Sequence, residues 1–141
     1  MDNHLYIKVP AISENEAFLR NVVAAFCVPL NPTVEQIDDV KTAVSEAVTN
    51  CVVHAYDQKI GEIEVEAYTD GGIIHIRVTD FGRGIVNIQK AVSPYFSTEK
   101  DAERAGIGFT VMRTFMDGIE VFNNPNGGLS VNMWKNMLKE V

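Results

Sequence analysis

The spacing of hydrophobic positions changes character at Gly61. Before it, Leu5-Tyr6-Ile7-Lys8-Val9 alternates and predicts a first strand ended by Pro10. Ser13-Glu14-Asn15-Glu16 has the form of a capping box, and Phe18, Val22, Ala25 and Phe26 follow at helical spacing. Pro29 and Pro32 break that helix. Thr33-Val34-Glu35-Gln36 offers a second capping box, after which Ile37, Val40, Ala43, Val44, Ala47, Val48 and Cys51 keep a helical period to about Tyr56. Beyond Gly61 the period becomes two. Residues 62–68 alternate, Asp70-Gly71-Gly72 supplies a turn, and Ile74, Ile76 and Val78 alternate on a returning strand. From Phe81 to Gly106 neither period holds, and an unpatterned stretch of that length in a compact domain is usually functional. Phe109 to Met116 reads as a short third helix stopped by Gly118, and 119–122 with 129–134 as a closing hairpin. The order β-α-α-β-β-loop-α-β-β predicts an α+β fold: a two-layer sandwich whose helices cover one face of a mostly antiparallel sheet.

Composition narrows the function classes. The 141 residues suffice for one domain, 1–141, and no repeat or linker divides them. Lys plus Arg number 12 against 19 for Asp plus Glu, a net charge of −7, which argues against direct nucleic-acid binding or an anionic membrane as the main partner. No apolar run is long enough for a bilayer, and Met1-Asp2-Asn3-His4 does not open a signal peptide, so a cytoplasmic location is expected. Cys27 and Cys51 fall in apolar helical stretches and read as buried thiols of a reducing compartment. With three scattered histidines they suggest no zinc site.

Three short patterns could carry chemistry. Glu46 and Asn50 lie one turn apart on the second helix and share a face. A carboxylate can accept the proton of a hydroxyl, and an amide oxygen suits Mg²⁺. Taken alone, a solvated stripe or a backbone-satisfied pair explains this spacing more simply. Asp80-Phe81-Gly82-Arg83-Gly84 follows directly on a strand. Its Asp could accept from an exocyclic amine such as that of adenine, while its glycines let backbone approach a flat ligand. A turn with two positive-φ positions is an equal account. Gly106-Ile107-Gly108 stands just before the predicted third helix, where free amides bind phosphate, and Arg104 could neutralise phosphate charge. The Walker pattern and the protein-kinase motif set are both absent, so ATP chemistry here needs another fold.

The order of these patterns resembles the GHKL ATPase and kinase superfamily, with its Bergerat ATP-binding fold. Glu46 to Asn50 matches the N box, Asp80 to Gly84 the first glycine box and Gly106 to Gly108 the second, with an ATP lid at about 85–105. Ser45-Glu46-Ala47-Val48-Thr49-Asn50 with His54-Ala55-Tyr56, the Ser13–Glu16 stretch and the run from Gly106 to Met112 resemble the bacterial anti-sigma-factor serine kinases. That resemblance implies a homodimer that silences a sigma factor of RNA polymerase and uses ATP to phosphorylate a serine of an anti-anti-sigma factor. It implies that Glu46 is the general base, Asn50 holds Mg²⁺, Asp80 reads adenine, and Gly82, Gly84, Gly106 and Gly108 shape the nucleotide site. Arg104 would face the γ-phosphate, Ser130 would stand near adenine, and Arg20 would lie in the partner-binding region. A sporulation circuit is favoured over a general-stress one. A sigma-binding module without transfer is the alternative, from which Glu46 argues away. The detached catalytic domain of a sensor histidine kinase fits less well: His4 precedes a strand, His54 lies within the N box, and the chain begins almost at the first strand.

Overall fold

A computed structural model describes residues 1–55, 60–82 and 100–138. The strands are β1 (Asn3–Pro10), β2 (Glu62–Asp70), β3 (Ile73–Asp80), β4 (Gly118–Asn123) and β5 (Leu129–Asn136), and the α-helices are α1 (Glu14–Cys27), α2 (Val34–Asn50) and α3 (Lys100–Phe115). A 3-10 turn, Val28–Leu30, follows α1, and a π-helical turn, Cys51–Ala55, extends α2. All strand pairs are antiparallel, in the order β1-β2-β3-β5-β4.

Alternation along each strand sends one row of side chains toward the helices. Ile63, Val65 and Ala67 of β2, Ile74, Ile76 and Val78 of β3, and Leu129, Val131 and Met133 of β5 are buried there. Against them lie Leu19, Val23 and Cys27 of α1, Val40, Ala43, Val44, Ala47 and Val48 of α2, and Phe109 and Met112 of α3. Helix α2 packs against both α1 and α3. The β2–β3 turn is tight because Gly71 and Gly72 take φ of +58° and +85°, the positive values that such a hairpin requires. Lys135 of β5 ties the layers together: its ammonium donates to Phe115 O at the end of α3 (2.7 Å) and pairs with Asp39 of α2 (3.3 Å).

Three local expectations change. The buried stripe of α1 is Leu19, Val23, Ala24 and Cys27, with Phe18 left 48% exposed, because two adjacent stripes share the helical period and the sheet selects one. Ser13 makes no side-chain cap bond; its hydroxyl turns to Glu14 Oε1 (3.2 Å), while Glu16 bonds Arg20. The Thr33–Gln36 box forms in full. Finally, α3 begins at Lys100 rather than Phe109. Ala102, Glu103, Arg104 and Ala105 are strong helix formers, and the helix runs on through Gly106 and Gly108 at a cost of about 1 kcal/mol for each glycine.

Candidate nucleotide site

The second helix brings Glu46 and Asn50 to the face that meets α3. There a β-carbon on Gly108 would lie 3.2 Å from Glu46 Oε2 and 3.3 Å from both Asn50 Nδ2 and Asn50 Oδ1. The two side chains thus converge on one bare spot of helix. This differs from the expected placement of the Gly-x-Gly pair: the glycines are not at a helix start, since α3 begins earlier, and Gly108 provides clearance over the carboxylate and the amide. Gly106 is buried, and its carbonyl accepts from Thr110 Oγ1 (2.9 Å).

Asn50 Nδ2 is a buried side-chain atom with no hydrogen-bond partner among the described residues. An unmet buried amide costs about 1–3 kcal/mol, so its retention beside Glu46 points to a ligand that completes it. Glu46 is half-buried, and its pKa is raised, first by desolvation and then by the negative charge of Glu16 on α1. Glu16 is held by Arg20, one guanidinium nitrogen of which lies 2.7 Å from both carboxylate oxygens. Arg20 therefore stands on α1 behind a carboxylate that Glu46 senses.

Asp80 closes β3 and is 4% exposed. Its Oδ1 accepts from the backbone N–H of Gly82 (3.0 Å) and of Leu129 (3.1 Å), and its Oδ2 faces the Cys51 thiol at 3.9 Å. Burial raises its pKa, opposed by these donors. The backbone around it is close-packed. A β-carbon on Gly82 would fall 1.9 Å from Ala55 O, and one on Gly128, where φ is +95°, would fall 2.0 Å from Asp80 O. Gly82 therefore docks the strand end against the π-turn that follows Asn50, which is how Asp80 and the N-box helix share one corner.

Ser130 is not brought to this corner. It pairs with Thr79, and its hydroxyl bonds Thr79 Oγ1 and Asn124 Oδ1, each at 2.9 Å, on the sheet face away from the helices. Strand alternation places its neighbour Leu129 on the Asp80 side instead. Gly84 and residues 85–99 lie outside the described residues, and Arg104 is described only as part of the α3 backbone. Sequence reading passed over Cys51, Leu129 and Gly128 as site residues. Adjacency to Asn50 was the available signal for Cys51.

The donor set suits a nucleotide better than a bare ion. Among the described residues no three of His, Cys, Asp and Glu gather to hold a metal. One amide oxygen beside one carboxylate suits Mg²⁺ only if phosphates and water fill the remaining positions, its common mode of binding. No helix among the described residues is long and apolar enough to cross a membrane.

Comparison with known proteins gives the family and the fold. The family described as the histidine kinase-like ATPase domain matches residues 9–135. An anti-sigma F factor of Thermoanaerobacter sp. (strain X514) is 55% identical over 123 residues, covering 87% of this chain and 86% of the relative. The protein of that name from Caldanaerobacter subterraneus subsp. tengcongensis is 52% identical over 134 residues, covering 95% and 94%. That of Anoxybacillus flavithermus is 38% identical over 140 residues, covering 99% and 96%. Among solved structures, the RsbU and RsbW domains of a Mycobacterium tuberculosis protein align with TM-score 0.70 at 20% identity, over 96% of this chain and 32% of theirs. The catalytic domain of the histidine kinase ThkA aligns at 0.61 and 15% identity, over 94% and 96%. At such identities the solved structures share the fold alone.

Proposed function

Because this chain belongs to the histidine kinase-like ATPase family and, within it, to the anti-sigma F factors, we propose that it binds and inhibits a sigma factor of the F type and phosphorylates a serine of an anti-anti-sigma factor. The observation that carries the kinase reading is the convergence beneath Gly108 of Glu46 with Asn50, whose Nδ2 has no hydrogen-bond partner among the described residues. Phosphoryl transfer depends on positioning and charge stabilisation more than on covalent chemistry by the protein.

In this reading Asp80 accepts from the exocyclic amine of adenine, and Gly82 and Gly84 let backbone approach the base. Asn50 offers its amide oxygen to Mg²⁺, which when bound neutralises phosphate charge. Gly108 leaves room over Asn50, Gly106 helps shape the phosphate contacts, Arg104 faces the γ-phosphate, and residues 85–105 form the lid. Glu46 takes the proton of the acceptor serine hydroxyl at a carboxylate oxygen. Desolvation and the Glu16 charge raise its pKa, which makes its carboxylate a stronger base than an exposed glutamate. Arg20 contributes to partner contact, and the working unit is a homodimer, both resting on the family resemblance. Ser130, bonded on the opposite sheet face, keeps at most a structural part in the adenine pocket.

The test is phosphate transfer from labelled ATP to a purified anti-anti-sigma protein, run beside a sigma pull-down. Positioned general bases contribute roughly 10²–10⁴-fold. Glu46→Gln should lose transfer by that order yet keep ATP-dependent sigma binding, whereas Asn50→Ala should weaken both. A wild type that binds sigma but transfers no phosphate is a binding module only. Binding to a general-stress sigma factor in place of the F type moves the protein to the other circuit.

A further inference from the structure

We propose that Cys51 is a positioning residue for base recognition: its thiol donates to Asp80 Oδ2 and holds the carboxylate so that one acceptor site of that oxygen stays directed at an exocyclic amine. The inference rests on the reading of Asp80 as the adenine acceptor and adds the group that aims it.

The geometry is specific. Asp80 Oδ1 is committed to two backbone donors, Gly82 N–H and Leu129 N–H, which fix one end of the carboxylate. Its Oδ2 has only the Cys51 sulfur, at 3.9 Å, as a partner among the described residues, and is the oxygen we assign to the ligand. Cys51 is 4% exposed, opens the π-turn and directly follows Asn50, so the phosphate end and the base end of the site hang from adjacent residues of one helix. A thiol suits this place because it is a weak donor. It orients the oxygen without saturating it, leaving the carboxylate a strong acceptor for the ligand. The neutral thiol is the form of this buried sulfur that carries a donor for the carboxylate. An ionised sulfur there would repel the carboxylate.

The experiment is calorimetric titration of the full chain with Mg²⁺–ADP for wild type, Cys51→Val, Cys51→Ser, Asp80→Asn and the Cys51→Val/Asp80→Asn double variant. Cys51→Val keeps the volume and removes the donor, and should weaken ADP binding by about 3–10-fold, the scale of one modest hydrogen bond. Cys51→Ser should recover most of that loss. In the Asp80→Asn background Cys51→Val should cost nothing more, because the oxygen it aims is gone. A residue that merely fills the core would give losses that add. Infrared spectroscopy of the wild type supplies a readout independent of the valine variant's folding: the S–H stretch of Cys51, assigned by its absence in Cys51→Ser, should move when ADP binds and when Asp80 is replaced by Asn. Wild-type affinity in Cys51→Val with weakened binding in Asp80→Asn overturns this proposal and leaves the adenine reading standing. Independent additive losses, or an S–H band indifferent to both ADP and Asp80, also overturn it. Unchanged binding in Asp80→Asn itself removes the adenine reading and this proposal together.

Discussion

Gly108 of α3 lies over Asn50 of α2 so closely that a β-carbon would stand 3.3 Å from both terminal atoms of the amide. Two opposing effects then act on Gly108→Ala. Alanine favours a helix interior by about 1 kcal/mol over glycine, whereas the added methyl crowds the amide and the Glu46 carboxylate. The apo protein should therefore melt within a few degrees of wild type, while Mg²⁺–ATP affinity falls several-fold, and Gly108→Val should lose it almost entirely. Calorimetric titration beside thermal melts separates the two quantities. Full affinity in the valine variant would place the phosphates elsewhere.

Asp80 yields a pH signature. Its folded pKa is raised, so between the unfolded and folded values the native protein holds a proton that the unfolded chain has released. Stability should fall as pH rises through that window and should flatten above it. Asp80→Asn, which can still accept from Gly82 and Leu129, removes this slope. Urea melts of apo wild type and variant from about pH 4 to 7, the span above the ordinary carboxylate range, should show the curves diverging as pH rises. Parallel curves would mean that the carboxylate is not desolvated.

Glu46 makes the same argument for rate. It must be ionised to accept a proton, and burial plus Glu16 hold its pKa up. The acidic limb of the pH–rate profile for transfer should therefore lie above the usual glutamate range. Glu16→Gln removes one raising charge and should shift that limb to lower pH, with Arg20 left without its partner. An unmoved limb would dissociate Glu16 from the base.

The two helix starts predict unequal losses. Thr33 accepts from Gln36 N–H, and Gln36 Oε1 accepts from Thr33 N–H, so Thr33→Ala should cost about 1 kcal/mol in denaturant melts. Ser13 makes no cap bond, so Ser13→Ala should fall within about 0.5 kcal/mol of wild type. Equal losses would contradict the difference in capping.

Both thiols should be inert in the folded protein. Cys27 is fully buried, and burial pushes its pKa up to about 12; Cys51 lies well above its usual value. At pH 8 an alkylating reagent meets mostly S–H at both positions. Labelling should follow the rate of opening and become fast in denaturant. Rapid single labelling of the native chain would show that one thiol is reachable.

Period and punctuation along the chain determined a good deal: the antiparallel strands, the long second helix with its box at Thr33, the Gly71-Gly72 turn and the association of Glu46 with Asn50 are all local or nearest-neighbour properties. Tertiary packing decided what local signals leave degenerate. Two stripes of α1 share one period, and contact with the sheet buried Leu19 and Val23 rather than Phe18. Glycines lower helix propensity at 106 and 108, yet strong formers before them and the close approach to α2 kept both inside α3. Ser130 and Leu129 are adjacent in sequence but face opposite ways. Only the β3–β5 register shows that Leu129 supplies an N–H to Asp80 while Ser130 turns to Thr79. The Cys51–Asp80 contact joins residues 29 apart, and no pattern in the chain encodes it. Such contacts depend on how a helix and a strand end meet in space, a distance that hydrophobic period does not carry.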